Sequence, residues 1–153
     1  MQPDDLNKIH GLLGFFDIGS DQILIVEEDD LLKITIDMDE MEAGRLIGRF
    51  ATTLDSLQLL LSLMLNQGEI HRHILLDVAG YRARRLGTLE TMVERAKTEI
   101  EQTGAPAAFP PLSSTERRQI HLMFQDDAKF TSYSQGEGID RRLFLALRPA
   151  EAQ

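Results

Sequence analysis

Arg117-Arg118-Gln119-Ile120-His121 concentrates two guanidinium groups and an imidazole within little more than one helical turn. Side chains four apart share a helix face, so Arg117 and His121 would stand side by side: a planar fork suited to phosphate oxygens, next to a ring that can donate or accept a hydrogen bond. Gln125-Asp126-Asp127 follows. Then comes Ser134-Gln135-Gly136-Glu137-Gly138-Ile139-Asp140-Arg141-Arg142, a glycine-bearing turn with a second arginine pair. Taken alone, Arg117 and His121 better fit a solvated helix face or a local hydrogen-bonding pair, and the glycines a plain hairpin turn. It is the whole run, in order, that points to phosphate recognition rather than catalysis. Both Arg117 and His121 are expected to be solvent-accessible, with His121 becoming a second cation as pH falls toward about 6.5.

The net charge of -9 looks unsuited to a polyanion ligand until it is divided along the chain. Residues 1–70 carry 14 carboxylates against 4 Lys/Arg, while residues 71–153 carry 11 against 12. The second half gathers its cations at Arg82-Ala83-Arg84-Arg85, Arg117-Arg118 and Arg141-Arg142, and local clustering rather than whole-chain charge makes an electrostatic footprint. Arg82 and Arg85 therefore join Arg117, Arg118, His121, Arg141 and Arg142 as candidate nucleic-acid contacts.

Other chemistries find little support. With no cysteine, the chain offers no disulfide, thiol nucleophile or Cys-based zinc site. Its histidines are His10, His71, His73 and His121; only His71 and His73 are spaced to share a strand face, and no third ligand or nucleophile–base pair accompanies them. Asp37-Met38-Asp39-Glu40-Met41-Glu42 lacks the sixth-position glycine of a calcium loop. No metal, cofactor or enzymatic activity is expected. The absence of a long apolar run or signal-type N-terminus predicts a cytoplasmic protein without membrane insertion.

The elements that would position these residues follow from periodicity. Leu6, Ile9, Leu12, Leu13 and Phe16 predict a helix over 4–16, and 22–27 and 31–37 predict a hairpin of strands about Glu28-Asp29-Asp30. A short helix over 40–47 precedes Gly48-Arg49-Phe50-Ala51. A leucine-dense helix then runs from Thr52 to about Asn66, and a strand spans 71–78. From Arg82 to Thr103 the apolar residues Leu86, Leu89, Val93, Ala96 and Ile100 mark a long helix, in which Gly87 costs about 1 kcal/mol and marks a flexible point between two domains. An extended segment over 107–112 leads to the Ser113–Thr115 cap of the Arg117–His121 helix, whose Ile120, Met123 and Phe124 are expected to face the core. Strands over 130–134 and 142–147 follow, the second with Leu143, Leu145 and Leu147 inward.

Two resemblances build on these residues. ERRQIHL, the acidic QDD, the SQGEG turn and the RR pair resemble, in order, the R-3-H single-stranded nucleic-acid-binding domain. The order helix, strand, strand, helix, helix, strand over residues 1–78 resembles a type II KH domain, with Gly48–Ala51 at the place of its GXXG loop. That likeness implies a backbone contact at Gly48 and Arg49. Ala51 departs from the pattern by one methyl group, and Phe50 either stacks on a base or packs inward, packing being the favoured reading. The whole chain resembles the bacterial Jag family, also called SpoIIIJ-associated proteins. It carries LIGRFATTLDSLQLLLSLMLN, ILLDVAGYRARR, ERRQIHLMFQDD and SQGEGIDRR.

The expectation is an α+β chain: a KH-like domain over 1–78 and an R-3-H domain over 79–150, the latter with a long leading helix and a short antiparallel sheet. The resemblance implies non-enzymatic binding of single-stranded RNA or DNA, without the additional N-terminal Jag domain of many members. The alternative it leaves open is a protein-interaction or scaffold module in cell-envelope or cell-division regulation, with self-association or a protein partner on the KH half.

Overall fold

The computed structural model describes residues 3–67 and 71–149, with only the backbone of Pro3, as a mixed α+β chain of five helices and two small sheets. It divides into two compact units between Ala83 and Arg84.

The first unit contains α1 (Pro3–Gly14), β1 (Ile23–Glu28), β2 (Leu31–Ile36), α2 (Glu40–Ile47), α3 (Thr52–Leu65) and β3 (His73–Val78). β2 pairs antiparallel with β1 across a tight turn at Asp29-Asp30, and parallel with β3. A parallel pairing needs a long crossover, which the α2–α3 segment supplies. The register sets Leu32, Ile34 and Ile36 beside Ile74, Leu76 and Val78, so strand alternation places all six in one buried layer. Ile9 and Leu13 of α1, Ala43 and Leu46 of α2, and Leu54, Leu57, Leu61 and Leu65 of α3 recur at helical spacing and close over that layer. Tyr81 packs on the same core. The Arg82 guanidinium donates to the Leu76 carbonyl and the Gln58 side chain, each at 2.9 Å, which ties the end of β3 to α3.

The second unit contains most of α4 (Tyr81–Thr103), with β4 (Ala107–Ala108), α5 (Ser114–Met123), β5 (Phe130–Gln135) and β6 (Arg142–Leu147). β6 is the central strand, antiparallel to both neighbours in the order β4-β6-β5. Leu89, Val93, Ala96 and Ile100 of α4 meet Ile120 of α5, Phe124, and Phe130, Leu143 and Leu145 of the sheet in one core. Two residues expected inside are not: Met123 and Leu147 are each 42 % exposed. α5 ends at Met123, and Phe124 leaves helical geometry (φ -111°, ψ 6°) to enter the core instead; Leu147 is the last residue of β6. Gly87 lies inside α4, with open space where a Cβ would point.

No helix among the described residues is long and apolar enough to cross a membrane.

Candidate nucleic-acid interface

α5 begins where it does because of a capping box. Ser113 Oγ accepts from the Glu116 amide at 3.1 Å, while Glu116 Oε2 accepts from the Ser113 amide at 2.7 Å. Glu116 is only 8 % exposed, and its Oε1 accepts from Arg85 Nε at 2.5 Å, which pins the start of α5 to α4. Burial raises the Glu116 pKa, but the Arg85 hydrogen bond and charge and the Ser113 amide outweigh it, and the net shift is downward. Arg85 is thus neutralised inside the unit rather than presented to a ligand.

On the other side of the same helix turn, Arg117 donates from Nη1 to the Leu112 carbonyl at 2.7 Å, which fixes the guanidinium while its remaining donors meet no partner among the described residues. His121 is held at both ring nitrogens. Nδ1 lies 2.7 Å from Ser132 Oγ and Nε2 lies 3.2 Å from Ser134 Oγ, two hydroxyls two positions apart on β5 and therefore on one sheet face. Burial, then the charges of Arg141 and Arg117, lower its pKa from the ordinary histidine value. The expected protonation therefore moves to lower pH, and at neutral pH His121 is a hydrogen-bonding imidazole beside Arg117 and Arg141. His121 and Arg117 are both half-buried, and both line the open depression described below.

The turn between β5 and β6 delivers the third group. Gly136 has φ +90°, and a Cβ there would come within 3.0 Å of the Asp140 carbonyl oxygen and 3.3 Å of Arg141 Cα, so the close return of the chain requires glycine. Ser114, Arg117, Arg118, His121, Ser134 and Arg141 then line one open depression of about 440 Å³. Among the described residues no carboxylate lies within ion-pair distance of Arg117, Arg118 or Arg141, unlike Arg72, Arg82 and Arg85. Three guanidinium groups without a carboxylate partner among the described residues thus stand around one imidazole, giving this face a local positive charge.

The remaining candidates lie elsewhere. Arg142 donates from Nη1 to the carbonyls of Ile139 (2.7 Å) and Arg141 (3.2 Å), and its position on β6 faces away from His121. Arg82 is engaged within the first unit by Leu76, Gln58 and, at 3.6 Å, Asp55.

In the Gly48–Ala51 loop, Gly48 adopts φ +71°, and a Cβ there would stand 2.2 Å from Thr53 Oγ1 and 3.0 Å from the Thr53 amide nitrogen. Phe50 and Ala51 are also left-handed, at φ 54° and 58°. Ala51 packs against the first core. Phe50 does not belong to that packing: it is half-buried, with the exposed Arg49 guanidinium 4.9 Å from its ring centroid.

The sequence reading missed Ser132 and Ser134; the alternation of two hydroxyls on the face of β5 opposite Leu145 and Leu143 was the available signal.

The family model of the R-3-H domain matches residues 87–147, which include every residue of the depression. The chain is 33 % identical over 115 residues to RNA-binding protein KhpB of Lactiplantibacillus plantarum, covering 74 % of this chain and 36 % of that protein. It is 33 % identical over 123 residues to RNA-binding protein KhpB of Clostridium symbiosum, covering 80 % of this chain and 54 % of that protein. With RNA-binding protein KhpB of Bacillus subtilis the identity is 30 % over 109 residues, 69 % of this chain and 52 % of that protein. The chain therefore spans between about a third and about half of the length of these relatives. The second unit thus matches an R-3-H domain, and most of the chain is similar to these KhpB proteins of the Jag family.

Proposed function

We propose that this protein is a non-enzymatic, cytoplasmic binder of single-stranded RNA that holds phosphates in the depression between α5 and the β5–β6 turn. The observation that carries the reading is the set of guanidinium groups of Arg117, Arg118 and Arg141 around one opening, without a carboxylate partner among the described residues. In this reading the arginines neutralise phosphates and release counterions, and His121, with both ring nitrogens engaged by Ser132 and Ser134, holds the Ser134 hydroxyl at the opening beside them. The relatives' name, RNA-binding protein, supports RNA as the ligand.

Residues 1–78 act as a type II KH-like domain and 79–150 as the R-3-H domain. Gly48 and Arg49 contribute at most a secondary backbone contact, since Arg49 lies over Phe50 and is the loop's only cation. Titrating a labelled single-stranded RNA and a duplex of the same sequence tests the proposal. Tighter binding of the single strand, weakened by Arg117→Ala, supports it; equal affinity for the duplex, or no binding at low salt, contradicts it.

A second reading has its own observation. Leu59, Leu60 and Leu63 are exposed on α3. Large apolar side chains clustered on one helix suit contact with a protein partner or a second copy. A chain that sediments as a dimer through this face yet binds no RNA would favour that reading.

A further inference from the structure

In the β5–β6 register, Ser132 and Ser134 lie opposite Leu145 and Leu143 and face α5, while Tyr133 and Gln135 lie opposite Phe144 and Arg142 and face the other way. α4 and α5 both pack on the Leu143/Leu145 side, so among the described residues no helix of this unit covers the opposite face. Tyr133 and Phe144 are direct cross-strand partners there, their rings parallel to within 9° with centroids 5.3 Å apart, and Tyr133 is 40 % exposed. Ala108 of β4 pairs with Phe144 and adds only a methyl group beside the rings. Neither β5 nor β6 contains an Asp or Glu, and Arg142, one position along the same face, has no carboxylate partner among the described residues.

We propose that the Tyr133–Phe144 pair is a stacking platform for a base of the same single strand whose phosphates occupy the Arg117–Arg141 depression; the proposal rests on the phosphate reading above. A parallel ring pair with an open edge can be extended by another π-face, and base–aromatic stacking tolerates any base. Continuity supports the path. Arg141 lines the depression and Arg142 starts the other face, so a strand rounding the end of the hairpin passes from one guanidinium to the next.

The area decides the class of occupant. Two strands of six residues, about 20 Å long and about 4.8 Å apart, with a two-residue neighbour, offer on the order of 200 Å². A stable protein interface takes about 800 Å² per partner, whereas one or two bases fit the smaller area.

The test compares an oligouridylate with an abasic ribose-phosphate oligomer of equal length on the full chain. Wild type is expected to prefer the oligouridylate, and Tyr133→Ala to weaken that ligand by about 5- to 150-fold while leaving the abasic oligomer unchanged. An equal loss on both ligands, or no loss on either, overturns the platform. Because the chain contains no tryptophan, Tyr133→Trp provides a unique fluorophore that keeps an aromatic ring in place. Its emission should be quenched by the oligouridylate and not by the abasic oligomer; no quenching at saturation overturns the platform independently of folding. Failure of the phosphate reading has a different signature, namely abasic-oligomer binding that is indifferent to Arg141→Ala.

Discussion

Replacing Arg141 with alanine isolates the electrostatic part of the account, because the Arg141 side chain is exposed and has no carboxylate partner among the described residues. Its removal should leave the fold intact. If Arg117, Arg118 and Arg141 each neutralise one phosphate, log K should fall with log salt at a slope of about -2, since each phosphate on a single strand contributes about 0.7. Between about 50 and 200 mM salt that amounts to a roughly 20-fold loss of affinity for wild type; Arg141→Ala, with a slope of about -1.4, should lose only about 7-fold. Fluorescence anisotropy of a labelled oligouridylate across the salt series reads both slopes. Arg95→Ala is the control, an exposed cation on α4 outside the depression, and its slope should match wild type. An unchanged slope in Arg141→Ala, or an equal drop in Arg95→Ala, would refute the assignment of charge to this face.

Three further outcomes follow from the geometry. His121 has a folded-state pKa below its unfolded value, so its contribution to stability is fully present above about pH 6.5 and is lost as pH falls through the folded pKa; melting temperatures of wild type and His121→Gln should therefore converge toward acid pH, and parallel pH profiles would contradict the burial and charge argument. Glu116→Ala removes a capping-box partner and a buried charge-assisted hydrogen bond and should cost about 2 to 3 kcal/mol by urea unfolding. The carboxylate's depressed pKa means that this contribution holds above its unfolded pKa, about 4.3, and is lost as pH falls through the folded one. In the Gly48–Ala51 loop the two ends should respond oppositely: Gly48→Ala forces a left-handed alanine against Thr53 and should cost about 2 kcal/mol, whereas Ala51→Gly relieves a left-handed alanine at an entropic cost and should stay within about 1 kcal/mol of wild type without abolishing RNA binding. A larger loss from Ala51→Gly than from Gly48→Ala would show that the loop conformation is misassigned.

Local signals carried most of the fold into view. Ile9 and Leu13, the alternating Leu32, Ile34 and Ile36, and the Ser113 cap each announce an element through spacing that needs no tertiary partner, and the structure places those residues as the pattern implies. What spacing could not show is pairing over long range. Arg85 reads as an available cation until Glu116, 31 residues away, is seen to hold it. Likewise Arg82 looks like a neighbour of Arg85 in a basic cluster, yet it is bonded to Gln58, 24 residues earlier. The same limit hid the neutral state favoured for His121: burial and the returning Arg141 lower its pKa, with Arg117 adding to them, and the first two come from packing that spacing does not show. Met123 and Leu147 differ for another reason: each is the last residue of its helix or strand, and periodicity does not show where an element ends.

The most direct test of the central claim is a chemical-shift map of the isotopically labelled chain titrated with an oligouridylate. Perturbations confined to Ser114–Leu122 and to Ser132 through Phe144 are the expected result. Shifts concentrated at Gly48–Thr53 with α5 silent would contradict it and move RNA recognition to the first unit.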